Sequence, residues 1–406
     1  MFKVLVLSQH TGQIDRRIVA EINSLAASGR EVTLVSVPTV ILEGCLDERV
    51  RVVMPTPTSP VFMGKELMKR VAKKLPSPLA SLAKTVWHRL RPMSDASVNN
   101  YFVQVTPKEK FDVIHCHDLD TLPAAVEIRE ILVPGATLIY DSHELFPFQF
   151  PRGDERQRYW SDIEEAHIRK ADLVITVNES ISSELARLYD IDLPEVIYNS
   201  YGVPGNVSLL DEREFLAHFG ASPGGFRVMF QGGFVQEKNL ENLVQAFQKL
   251  DTAVQLFLLG AGPAEALLKT LCTRLGISNV FFGRWVPQEH LLRYIAHAHL
   301  GVIPYSGSTL LNNRYCTPNK LFEFIEAEIP ICASDLPELR RIVAGHGIGA
   351  VYPMEDVTAI AHAIEACRVR CLRGDFALST RHAARQKFSW ERQEARLLEL
   401  YERLGV

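Results

Sequence analysis

Short, continuous apolar runs alternate with longer stretches of helical spacing along the whole chain. KVLVLS (Lys3–Ser8), EVTLVSV (Glu31–Val37), DVIHCH (Asp112–His117), TLIYD (Thr137–Asp141) and LVITV (Leu173–Val177) form a first series. RVMFQGG (Arg227–Gly233), QLFLLG (Gln255–Gly260), NVFFGR (Asn279–Arg284), GVIPY (Gly301–Tyr305) and IPICASD (Ile329–Asp335) form a second. Runs that stay apolar, rather than alternating with polar residues, mark strands covered on both faces. Strand-helix-strand alternation predicts parallel sheets with right-handed crossovers. Two such series predict two doubly wound α/β domains.

The break falls at YNSYGVPGN (Tyr198–Asn206), which has two glycines, a proline and two asparagines. It predicts a first domain over 1–200 and a second over 201–385. FSWERQEARLLELYERL (Phe388–Leu404) reads as a long amphipathic helix in a closing segment, 386–406, with an apolar face available to cross back onto the first domain. One insert, Met63–Met93, is basic: Lys65, Lys69, Arg70, Lys73, Lys74, Lys84, Arg89 and Arg91 stand among leucines, valines and a tryptophan. It has two readings, a cationic amphipathic element on an anionic membrane surface or a solvated helical pair.

Bulk composition narrows the class. At 406 residues the chain exceeds one ordinary core and suits two domains. Hydrophobic content of 47% and charged content of 23% fit a soluble globular protein. A net charge of −4 gives no basic excess that argues for nucleic acid. The seven cysteines are scattered without a CxxC pair, so neither a disulfide framework nor a zinc site is expected. That usage fits a reducing cytoplasm. The opening MFKVLVLSQHTG is too short in its apolar run for a signal peptide, and no stretch of about 18 apolar residues suggests a span. The expected location is cytoplasmic, with peripheral attachment at the inner face of the plasma membrane as the membrane variant.

Two stretches carry candidate chemistry. In CTPNKLFEF (Cys316–Phe324), Thr317 reads as an N-cap and Pro318 as the first helical residue. Amides at such a helix start form an anion site, with Lys320 in the first turn and Glu323 placed to reach a neighbouring group such as a sugar diol. In FQGGFVQEKNLENL (Phe230–Leu243), Gly232 and Gly233 end a strand and Lys238 precedes a helix. Glycines let backbone approach a ligand, and a lysine supplies a point charge for phosphate. Each stretch also reads as ordinary structure, a capped helix and a tight turn with a surface lysine.

The first series ends its strands in histidines. His117 and His143 fall at carboxyl ends of neighbouring strands, where doubly wound sheets bind ligands. Both also read as a hydrogen-bonded structural pair. His115 sits earlier in its strand and reads as core. Glu144, beside His143, is a candidate for contacting an acceptor hydroxyl. In SQHTGQIDRR (Ser8–Arg17), Gly12 brings backbone N–H groups toward a ligand and Asp15 reads as a helix cap.

Taken in order, EKNLENLVQAF, LLGAGP, GRWVPQEHLLRYIAHAHLGVIPY and TPNKLFEFIEAEIPICASDLPELRRIV resemble the second domain of GT-B fold glycosyltransferases of the family 4 (group 1, retaining) type. DVIHCHDLDTLPAA and LIYDSHELFP are similar to segments of the first domain. The resemblance implies two Rossmann-like domains facing each other across a cleft. It implies transfer of a sugar, with retention, from a nucleotide diphosphate donor to a glycan or lipid-linked glycan hydroxyl. UDP is the expected carrier and glucose or a related hexose the expected sugar. By the same resemblance, Lys238 contacts the donor phosphates, and Glu323 holds the ribose. Thr317, Pro318, Asn319, Lys320 and Leu321 open the helix facing the diphosphate. Gly283 to Val286, including Arg284, bracket the base, and His117 lies near the reacting sugar carbon. Lys238, Glu323 and His117 are the expected catalytic residues.

Two positions depart from the family pattern. Its first glutamate is replaced by Tyr315, so contacts to the sugar are expected from Asn312, Asn313 or Tyr305. An arginine five residues before the phosphate lysine is replaced by Gly233, so a second cation is needed from Arg314, Lys320 or Arg284. The DLD at Asp118–Asp120 belongs to the first series, away from the expected phosphates, so no metal and no separate cofactor is expected. The competing readings are a GT-B nucleotide-sugar 2-epimerase, which an acceptor-free turnover assay separates, and a non-catalytic nucleotide-sugar-binding protein.

Overall fold

A computed structural model describes residues 1–10, 12–54, 98–200, 209–306 and 310–406, apart from the side chain of Glu237. The basic insert Met63–Met93 and residues 201–206 of the expected break lie outside the described residues. The chain forms two units. One comprises Met1–Val177, Ile181–Ile197 and Glu394–Val406; the other comprises Asn178–Ser180 and Tyr198–Gln393.

In the first unit the strands are β1 (Lys3–Ser8), β2 (Gly12–Gln13), β3 (Glu31–Ser36), β4 (Thr39–Val40), β5 (Arg51–Val53), β6 (Val113–His117), β7 (Thr137–Ser142), β8 (Leu173–Thr176) and β9 (Glu195–Val196). Seven of them make a sheet in the order β5-β3-β1-β6-β7-β8-β9, and β2 pairs with β4 apart from it. All pairings are parallel. Helix α1 (Arg16–Ala27) follows β2 and is capped by Asp15, whose carboxylate accepts from the Arg17 N–H. The core runs through Val4, Val6, Ile18, Ile22, Val113 and Ile139.

The second unit holds β10 (Phe226–Gly233), β11 (Val254–Ala261), β12 (Val280–Gly283), β13 (Leu300–Ile303), β14 (Ile331–Ser334) and β15 (Gly349–Tyr352). Their order is β12-β11-β10-β13-β14-β15, again parallel throughout. Helices α2 (Gln288–Ile295) and α3 (Asn319–Glu326) follow β12 and β13. Phe230, Phe234, Leu256 and Leu258 belong to its buried core.

All ten expected strands are present. The sheets add β5, β9 and β15, of which β9 has two residues and β15 begins in Gly349-Ala350, too little apolar bulk to read as a strand. The closing helix expected over Phe388–Leu404 is present, and a further helix precedes it. Leu378–Lys387 is separate from α4 (Trp390–Arg403), and Leu397, Leu400 and Tyr401 of α4 are buried in the first unit's core.

In each sheet the strand order reverses beside the strand that opens the series, between β1 and β6 and between β10 and β13. Crossovers leaving in opposite directions open a crevice at the carboxyl ends there. Both groups of candidate residues lie at these points.

Candidate active site

At the switch point of the second unit is a cavity of 400 Å³, within the range of small-molecule pockets. Its floor is Gln231 and Gly232 of β10 with Leu259 and Gly260 of β11. Gly232 (φ 122°) and Gly260 (φ 150°) both need glycine's freedom, and a Cβ on Gly260 would collide with the Gly232 carbonyl. Lys238, Tyr305 and Lys320 line one part, Trp285, Val286, Gln288 and Leu291 another, and Pro318, Asn319 and Glu323 complete the wall.

Tyr305 organises the cationic part. Lys238 Nζ stands 4.2 Å from the centre of its ring, and Lys320 Nζ donates to its hydroxyl at 2.7 Å. Lys320 is itself buried and also packs 4.7 Å from the Phe230 ring centre. Burial, and then the charge of Lys238, bring its amine down to about 7. Burial pushes the Cys316 thiol up to about 11 and the Tyr305 phenol well above its ordinary value. The carboxylate of Glu323 accepts from Gln231 Nε2 at 2.7 Å and Gln288 Nε2 at 2.5 Å. Two amides from different elements therefore fix its orientation, while it remains on the pocket wall.

The helix start differs by one residue from expectation. Pro318 is the N-cap (φ −68°, ψ 146°) and α3 begins at Asn319. The Pro318 carbonyl accepts the Leu321 N–H at 2.8 Å. The Thr317 hydroxyl is drawn instead to Asn178, whose side-chain amide donates to it at 3.2 Å and to the Tyr315 carbonyl at 2.9 Å. Leu321 is fully buried, and its N–H is already bonded, so the first-turn amides left for a ligand are those of Asn319 and Lys320.

Of the residues expected around a donor, Gly232, Lys238, Val286, Tyr305, Pro318, Asn319, Lys320 and Glu323 come together in this cavity. Gly233, Arg284, Asn313, Thr317 and Leu321 do not line it. Gly233 and Arg284 are exposed, and the Arg284 carbonyl accepts from His218 at 3.1 Å. Asn312 and Asn313 sit in the short turn Leu311–Arg314. Among the three candidates for a second cation, Lys320 alone lines the cavity. Sequence reasoning missed Gln231, Gln288 and Gly260 and named Trp285 only as part of the base segment. Gln231 directly precedes the glycine pair and Trp285 lies inside the expected base segment, and those adjacencies were the available signals.

The switch point of the first unit is filled by a buried polar network. Arg17, on α1, is fully buried, and its Nη2 donates to both oxygens of Asp141 at 2.8 and 2.9 Å. Its Nε lies 3.1 Å from Asp141 and 2.9 Å from Glu21, and its Nη1 donates to the Ile197 carbonyl. Burial pushes the Asp141 carboxyl up, but Arg17 and His143 outweigh it and hold the group well below the usual range. Burial, then the Asp141 charge, raise Glu21 to about 8.

Burial alone would lower His143, but Asp118 and Asp141 lift it to about 10. Its ring Nε2 is 3.1 Å from His117 Nδ1 and 3.3 Å from Asp141. Asp141 also lies 3.4 Å from His117 Nδ1, so that nitrogen faces both the imidazolium and the carboxylate. Burial lowers His117 itself, keeping it neutral. Its Nε2 has no hydrogen-bond partner among the described residues. His115 stacks on His117 and bonds the Tyr401 hydroxyl at 2.8 Å, the core role expected of it.

Glu21, His115, His117 and Asp141 bring ligand-type atoms within 4.8 Å of one another. The guanidinium of Arg17 already faces both carboxylates, and a divalent ion there would sit against that fixed charge. The arrangement is a charge-balanced, proton-sharing network. Glu144 is half-buried and accepts from Gln149 at 2.5 Å, apart from this network. Gly12 is exposed (φ 105°) in the small β2–β4 pair, where its carbonyl accepts from Thr39 at 2.6 Å.

Comparison with known proteins gives these sites a setting. Sucrose-phosphate synthase from Thermosynechococcus elongatus superposes with a TM-score of 0.71 at 17% identity, covering 100% of this chain and 99% of that one. Anabaena HepE in complex with UDP superposes at 0.67 and 17% identity, covering 99% and 100%, and its complex with UDP-glucose at 0.68 and 16%. The fold is GT-B, with two parallel-sheet α/β domains. Residues 15–201 match the family described as Glycosyltransferase Family 4, and residues 225–368 match Glycosyl transferases group 1. An uncharacterized glycosyltransferase of Methanocaldococcus jannaschii is 26% identical over 205 residues, 48% of this chain and 52% of that protein. The chain thus matches about half the length of this curated relative. No helix among the described residues is long and apolar enough to cross a membrane.

Proposed function

We propose that the chain is a retaining hexosyltransferase. It takes glucose or a related hexose from a uridine diphosphate donor and delivers it to a hydroxyl of a polysaccharide or lipid-linked glycan. The observation that carries this reading is the cavity of the second unit, where Lys238 and Lys320 flank Tyr305 and a carboxylate fixed by two glutamines stands on the wall. Sugar transfer builds negative charge on the departing diphosphate, and preorganised cations and amides aimed at it lower the barrier. The two lysines and the opening turn of α3 supply them. Glu323 accepts the ribose hydroxyls, and the half-buried Val286 and exposed Trp285 receive the base. Uridine is favoured because HepE, of the same fold, was crystallised with UDP and UDP-glucose. His117, a neutral imidazole, contributes a hydrogen bond through its unpartnered Nε2.

A thermal-shift series over nucleoside diphosphates and their sugars tests the donor. UDP or a UDP-hexose at 100 times its dissociation constant is expected to stabilise by about 2.7 kcal/mol, with smaller effects from guanosine and adenosine analogues. A chain that no nucleotide stabilises is not a transferase of this kind. Two ammonium groups facing the diphosphate also imply metal-independent turnover. Transfer measured after dialysis against EDTA is expected to match the untreated enzyme, and abolished transfer that Mg²⁺ restores would refute that part.

A further inference from the structure

Lys320 is an unusual group to find at the bottom of an anion pocket. Its Nζ is buried, donates to the Tyr305 hydroxyl at 2.7 Å, and lies over the Phe230 and Tyr305 rings at 4.7 and 4.9 Å. The partner its hydrogen bond finds is a phenol rather than a carboxylate. Lys238 shares the Tyr305 ring, so a second positive charge is already present. Gly232, an exposed glycine, lies over the amine: its absent Cβ would rest 3.6 Å from Nζ. A side chain at that position would cap the amine, whereas glycine leaves it open to whatever enters the cavity.

We propose that Lys320 gains its proton as the diphosphate of the donor enters, so that nucleotide binding and protonation are coupled at this one buried nitrogen. The proposal rests on the reading of the cavity as the donor site. Every titratable group facing the amine bears on it. Lys238, after β10, disfavours the charged form, and burial does so more strongly. Glu323, one turn on along α3, and Cys316, before the helix, favour it. Tyr305, after β13, receives its hydrogen bond. Together these leave the empty pocket's amine near 7, divided between its two forms at neutral pH. A sugar-linked pyrophosphate brings two negative charges and has no ionisation of its own near neutrality. Placed beside Nζ, it offsets the repulsion from Lys238 and selects the ammonium.

The sign follows from linkage. The complex holds more protons than the free protein, so affinity is highest below about pH 7 and declines as pH rises. Between pH 6.5 and 8.5 the decline is roughly 20-fold for one proton with this midpoint. The test is calorimetric titration of UDP-glucose into the full chain at pH 8, in HEPES, Tricine and Tris, whose ionisation enthalpies differ. The expected slope of observed heat against buffer enthalpy corresponds to uptake of roughly 0.9 proton. Lys320→Arg, permanently charged, is expected to bind without uptake and with a flat pH profile. Lys320→Met is expected to bind weakly and also without uptake. Lys238→Met should move the decline to higher pH and lessen the uptake at pH 8, because one cause of the lowered value is gone.

Tight binding by the native chain with heats independent of buffer overturns the proposal and leaves the donor site standing. Uptake that persists in Lys320→Arg overturns it too, since the proton then goes elsewhere. Failure of UDP-glucose to bind at any pH removes the donor reading itself. If Lys320→Met does not fold, the native and Lys320→Arg titrations still decide.

Discussion

Replacing Arg17 with methionine is expected to destabilise the first unit by about 3–5 kcal/mol. Arg17 has no solvent exposure and satisfies both oxygens of Asp141, a contact of Glu21 and the Ile197 carbonyl at once. A methionine fills much of the volume but leaves the buried Asp141 carboxylate with only His143 to balance it. The cost is dominated by that stranded charge, not by the lost pairing energy, since intact buried ion pairs add little over apolar packing. For a unit of this size the loss lowers the melting transition by roughly 6–20 °C. The double variant Arg17→Met with Asp141→Asn removes both charges and is expected to recover part of the loss. Arg17→Lys should fall between, because an ammonium cannot reproduce the planar fork. Denaturant titration followed by circular dichroism reads all three. A single variant within about 1 kcal/mol of the native chain would show that the network carries little of this unit's stability.

The same residue shows where the sequence stops being readable. The strands of both sheets are legible because burial on two faces demands long apolar runs, and nothing else in the chain looks like VLVL or QLFLL. The cationic end of the second-unit cavity is legible for a related reason: QGG ends a strand and K and TPNK follow strands, on the side where a doubly wound sheet places ligands. Arg17 and Glu21 are not legible. One turn apart on an amphipathic helix, they have the spacing of a surface ion pair, and only the fold reveals that this face points inward. Gln231 and Gln288 are hidden likewise, because an amide's role depends on which carboxylate it meets, and theirs is about 90 and 35 residues away in sequence. The Thr317 cap failed for want of one partner: Asn178, far back in the chain, takes the hydroxyl and leaves the cap to Pro318.

Loss of Lys238 bears on turnover rather than on folding. Its side chain rests over the Tyr305 face at the cavity's cationic end, where it can follow charge that grows on a departing phosphate oxygen. An interaction that strengthens as charge develops lowers kcat when removed, whereas one made equally with bound substrate would change KM. Lys238→Ala is therefore expected to reduce kcat by roughly 10²–10³-fold, the range for a single preorganised donor to a developing anion. The donor KM should change much less, because Glu323, the base segment and Lys320 remain. Lys320 does not rescue the variant fully. Its nitrogen is fixed by Tyr305 and cannot move to cover the vacated position, although losing its charged neighbour makes it a better cation. Donor hydrolysis without acceptor should fall in parallel with transfer, since both break the same bond to the same diphosphate. An alanine variant whose kcat and KM both stay within about twofold of native would place the leaving group elsewhere. A variant with unchanged kcat but a KM raised a hundredfold would make Lys238 a binding contact only, and would shift the burden of leaving-group stabilisation to Lys320 and the α3 amides.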